Sequence, residues 1–157
     1  MYKKLPLLLL ILSSVSIQAQ SSSKAIKQLE DNTETFNNIA QQIWDWAEMG
    51  YLEEKSSALL QETLANEGFT ITKGIADIPT AFVAEYGSSG PVIGILGEFD
   101  ALPGLSQKAI THQESAGGNA GHACGHHLFG TASTAAAIAV KNWLKDNKKE
   151  GRIRFYG

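Results

Sequence analysis

Residues 91–100 read PVIGILGEFD. Val92, Ile93, Ile95 and Leu96 crowd five positions, and two carboxylates follow at Glu98 and Asp100. An apolar run this continuous predicts a strand buried on both faces, as in sheets sandwiched by helices. It points to an α/β fold class. Strand geometry would put Glu98 and Asp100 on one side, with Phe99 opposite. Ligands of open α/β sheets bind beyond the carboxyl ends of the strands, so these two acids are the first candidate functional residues. The bland alternative is a carboxylate capping the turn at Ala101–Gly104.

Upstream, Gly87-Ser88-Ser89-Gly90 reads as a turn. It makes Ala81–Tyr86 and Pro91–Phe99 a hairpin or neighbouring strands, with Phe69–Thr72 as an earlier strand. Before these, Ile26, Leu29, Phe36, Ile39, Ile43 and Trp46 recur at helical spacing, predicting a helix over Lys24–Met49 that Gly50 ends. Trp44 and Trp46 read as packing residues. A second helix is expected over Ser56–Glu67, stopped by a left-handed Gly68, with Glu53 and Glu54 complementing its N-terminal dipole.

Downstream, residues 104–120 form a long polar loop, of the kind that commonly carries function. A helix is expected over Leu128–Asp146. Its alanines (Ala132, Ala135, Ala136, Ala137, Ala139) let it lie close to a sheet, and Lys141, Lys145, Lys148 and Lys149 suit its C-terminus. Arg152–Tyr156 alternates as a strand. The order predicts a mixed, largely parallel sheet with flanking helices. A strand at the very end, with nothing beyond it to close the sheet, is what an incomplete chain would show.

The chain has 157 residues, 43% hydrophobic and 18% charged, the profile of one globular domain or part of a larger one. MYKKLPLLLLILSSVSIQAQ has the basic start, short apolar run and small-residue end of a signal peptide over residues 1–19, cut after Ala19. Its apolar run is shorter than the roughly 20 residues a bilayer span needs. The expectation is export to the periplasm, with residues 20–157 as the domain and no membrane attachment after cleavage. Losing Lys3 and Lys4 would move the net charge of −3 to −5. A mildly acidic chain without a basic stripe argues against nucleic acid and anionic membranes as partners. A single cysteine cannot form an internal disulfide, so an exported protein that keeps Cys124 needs another reason for it.

Residues 121–130, GHACGHHLFG, hold that cysteine and three of the four histidines. Cys124 and His126 flank a glycine and could reach one ion, with zinc bonds of roughly 2.3 Å to sulfur and 2.0–2.1 Å to nitrogen. The N-terminus of the following helix favours a thiolate. Three readings stay open: a metal site, a cysteine nucleophile paired with His122 or His126, or core and capping histidines beside an inert thiol. A carboxylate from the Glu98–Asp100 loop could bind the same metal or fix a histidine tautomer.

GEFDALPGLSQ at 97–107 together with GHACGHHLFG at 121–130 resembles the amidohydrolase branch of the dinuclear-metal aminoacylase and carboxypeptidase family. MGYLEEKSSALLQETLANEGF at 49–69 is also similar, and the likeness runs from about Ile39 to Gly157. The resemblance implies the N-terminal part of a metallohydrolase catalytic domain, without the smaller lid and dimerisation domain. It implies Cys124 and His126 as metal ligands and Asp100 as the carboxylate that orients or tunes them. Glu98, standing where the wider family has a histidine, and His122 are second-rank metal candidates. His127 departs from the usual Asp or Asn. Two divalent ions are implied, zinc or manganese with cobalt as a further option. The implied substrate is an acyl- or aroyl-amino acid, and relatives pair as homo-oligomers or with a partner subunit. The family's general base, a glutamate, falls after the strand ending RIRFYG, so the 157 residues alone are expected to be inactive.

Overall fold

The computed structural model describes residues 24–157; the expected signal peptide, residues 1–19, lies outside the described residues. Among the described residues no helix is long and apolar enough to cross a membrane.

The first helical stretch is broken at Asn32 into α1 (24–31) and α2 (Thr33–Trp46), which buries Ile39, Ala40 and Ile43. It stops before Gly50. Ala47 turns left-handed (φ 44°) and donates its N–H to Ile43 O, so an alanine makes the stop expected of a glycine. Helix α3 (Glu54–Asn66) starts two residues before the expected Ser56. The reason is a remote cap: the Glu48 carboxylate accepts the N–H groups of Lys55 and Ser56 at 3.0 and 2.8 Å and the Ser56 hydroxyl at 2.7 Å. These are among the donors a helix start leaves unpaired. Gly68, at φ 87°, ends α3 as expected.

Strands β1 (Thr70–Lys73), β2 (Phe82–Tyr86) and β3 (Val92–Leu96) follow; β4 (Leu102–Pro103) and β5 (Ala120–Gly121) form a separate small ribbon; α4 (His126–Asp146) and β6 (Arg152–Tyr156) complete the order. The main sheet runs β1-β2-β6-β3. Two expectations fail here. Strands β2 and β3 form no hairpin, because β6 lies between them, antiparallel to β2 and parallel to β3. The mixed sheet is as expected, but β3–β6 is its one parallel pairing in three. A parallel pair needs a crossover, and α4 supplies it. Nor is β3 buried on both faces: among the described strands it is an edge, with Val92, Ile93 and Leu96 42–57% exposed.

One sheet face is covered. Phe82 and Ala84 of β2 and Ile153 and Phe155 of β6 point into a core with Ile43, Leu60, Leu64 and Ala137 from the helices. Lys141 is buried rather than exposed, donating to the Glu67 carbonyl and carboxylate at 3.0 and 2.7 Å, which places a cation at the negative end of α3.

Candidate metal centre

Beyond β3 the chain leaves the sheet and keeps its alternation. Phe99 enters the core at 5% exposure while Glu98 and Asp100 stay outside, so the predicted same-side placement holds. The small ribbon then joins the ends of the long loop: Leu102 and Pro103 pair with Gly121 and Ala120, and Gly104 N–H bonds Asn119 O at 2.7 Å. This staples the Glu98–Asp100 loop to the loop carrying His122–His126. Gly125, at φ 77°, precedes α4 and makes His126 its first residue.

Gly130 lets α4 close down on the acids. A β-carbon there would lie 2.8 Å from Glu98 O and 3.2 Å from the Phe99 side chain. Sequence reading gave this glycine no role, since a helical glycine is legible as a close approach only when the opposing backbone is known.

His126 sits between the two carboxylates, its Nδ1 2.7 Å from Asp100 Oδ1 and its Nε2 3.0 Å from Glu98 Oε2. The ligand atoms of Glu98, Asp100 and His126 lie within 4.8 Å of one another, the group among the described residues that could hold a metal. The donor chemistry fits. With Nδ1–H donated to Asp100, a neutral ring turns the Nε2 lone pair toward Glu98. Two acceptors face to face repel, so that place calls for a positive charge, a proton or a metal ion. Atoms bonded to one zinc at roughly 2.0–2.2 Å sit roughly 3.3 Å apart, close to the observed separation. A carboxylate holding the far nitrogen of a ligating histidine is the usual support for such a ligand.

The other candidates fall elsewhere. Cys124 is an exposed free thiol outside this group. Both nitrogens of His126 lie on carboxylates, at 2.7 and 3.0 Å. His122 is buried, donating Nε2–H to Ile43 O at 3.0 Å and stacking on Trp44. Its Nδ1 and that of His127 are buried without partners. Burial lowers the pKa of both rings, that of His127 to about 4. Both rings pack against Trp44.

No protein-family model matches the chain. It is 47% identical over 131 residues to a subunit of the p-aminobenzoyl-glutamate hydrolase of Escherichia coli (strain K12), covering 82% of this chain and 27% of that protein. It superposes with TM-score 0.62 and 25% identity on a Bacillus subtilis dinuclear metal-binding peptidase from the M20 family, covering 81% of this chain and 35% of that one. The chain is similar to part of each of these hydrolase relatives, one of them a metal-binding peptidase of the M20 family. A hippurate hydrolase of Campylobacter jejuni matches at 26% identity over 83% of the chain and 33% of its own length. The chain thus spans about a quarter to a third of the length of the curated relatives it matches.

Proposed function

We propose that the chain is part of an exported metal-dependent amidohydrolase that cleaves the amide between an acyl or aroyl group and an amino acid, p-aminobenzoyl-glutamate among them. The observation that carries this is the Glu98–Asp100–His126 group in a chain 47% identical to part of a p-aminobenzoyl-glutamate hydrolase. A divalent ion would polarise the amide carbonyl and lower the pKa of an attacking water. His126 Nε2 and Glu98 face the place for that ion, while Asp100 keeps the Nδ1 proton and so holds the tautomer. Cys124, exposed and two residues from His126, is a further ligand by the resemblance. Two ions, zinc or manganese with cobalt as a further option, suit this mixed donor set. The described residues bring together ligands for one, and the rest would come from outside these 157 residues. The chain alone is therefore inactive, and the working enzyme pairs with a second kind of subunit, as the name of its Escherichia coli relative suggests, or with its own copies.

The test is hydrolysis of p-aminobenzoyl-glutamate, followed by the released arylamine, alongside zinc titration of the chain. Zinc binding that vanishes in His126→Ala, without turnover, is the expected result. Turnover by the chain that survives EDTA and dies on thiol alkylation would replace the metal reading with a cysteine amidase.

A further inference from the structure

The corner between α2 and α3, residues 47–53, holds two non-glycine residues in the left-handed region, Ala47 at φ 44° and Tyr51 at φ 67°. Such residues persist only where the surroundings over-determine them. Tyr51 is exposed, whereas the residues that follow Ala47 are bound by a loop of the candidate metal centre. Ala101, next to Asp100, donates its N–H to Glu48 O at 2.7 Å, and Met49 bridges to the same residue. Five residues before Glu48, Ile43 O takes the His122 Nε2–H, fixing the loop that carries His126. The two halves of the centre thus hang on the last turn of α2 and on the corner that follows it.

The corner is in turn fixed through one side chain. Glu48 sends its backbone carbonyl to Ala101 and its carboxylate the other way, onto Lys55 and Ser56 at the start of α3. Three charge-assisted bonds at a helix N-terminus are a strong anchor. We propose that Glu48 is a positioning residue for the metal centre. It touches no ligand atom, and it clamps the corner so that Asp100 and His126 meet.

This inference rests on the metal reading above, and the experiment separates the two. Co2+ titration of the chain, followed by its visible ligand-field bands, is run on wild type, Glu48→Gln and, as the milder variant should Gln unfold the chain, Ser56→Ala. The expected result is at least 10-fold weaker binding in Glu48→Gln and a smaller loss in Ser56→Ala, with band positions unchanged because the ligands are the same. Unchanged affinity with a lowered melting temperature would make Glu48 a helix cap and nothing more. Shifted bands would make it a ligand. If wild type binds no Co2+, the metal reading falls, and amide hydrogen exchange still decides the clamp. Glu48→Gln should speed exchange at Ala101 by at least 10-fold, and acceleration confined to Lys55 and Ser56 would overturn the proposal.

Discussion

His126 sets its ring nitrogens 2.7 and 3.0 Å from Asp100 and Glu98, whereas His127, next in the chain, turns its ring against Trp44 and leaves Nδ1 buried without a partner. Successive residues of an α-helix point about 100° apart, so one helix start sends one imidazole to the acids and the other to the core. A motif dense in metal-affine side chains is therefore divided by helix geometry: part of it is chemistry and part is packing.

The sharpest way to break this contrast is to remove each ring. His126→Ala should weaken zinc binding at least 100-fold, about 2.7 kcal/mol, while His127→Phe changes it less than threefold by calorimetric titration. Equal losses would erase the distinction. Gly130 lies one turn along from His126 on the same helix face. Gly130→Ala would push its β-carbon into Glu98 O. Overpacking of about 1–3 kcal/mol, less about 1 kcal/mol of helix propensity, leaves an expected loss of up to about 2 kcal/mol in urea unfolding.

Acid should single out the buried ring. Burial depresses the His127 pKa to about 4, so the unfolded chain binds its proton first. The stability linked to His127 is full above about pH 6.5 and is lost as pH falls from there toward 4. Wild type should lose on the order of 1 kcal/mol more over that window than His127→Phe, allowing for solvent screening near the loop. His122, also shifted down by burial, lies 4.9 Å from His127 ring to ring and contributes to its shift, so the difference between the two chains reads the coupled pair. The smallest effect is expected at exposed Cys124. Cys124→Ser should leave metal-free stability within about 0.5 kcal/mol, while abolishing any thiolate-to-Co2+ absorption. Absence of that absorption in wild type would remove Cys124 from the ligand set.

Much of this was legible in local pattern. The order of the major helices and strands, the left-handed Gly68 and the common side of Glu98 and Asp100 all follow from spacing. The errors share a cause. The hairpin reading failed because strand order depends on β6, which arrives more than 50 residues after β3. The buried-strand reading failed for the same reason, since a run of aliphatics records what a strand is suited to and not where it sits in a sheet. The roles of Glu48 and Lys141 are not legible in local pattern because each acts on a helix end remote in sequence. The resemblance named His126 and Asp100, and the geometry added Gly130, Ile43 and the left-handed Ala47 around them.

The bond from His122 to Ile43 spans 79 residues. Contacts of that reach are closed at an entropic cost before they return anything, and they form late in proteins governed by non-local pairing. A half-folded chain therefore has the donors but not the constellation. An ion that recognises the constellation discriminates between the finished fold and everything before it. Bound there, it would raise stability by RT ln(1 + [metal]/Kd), and the melting temperature in rising zinc would then gauge how completely the polypeptide has folded.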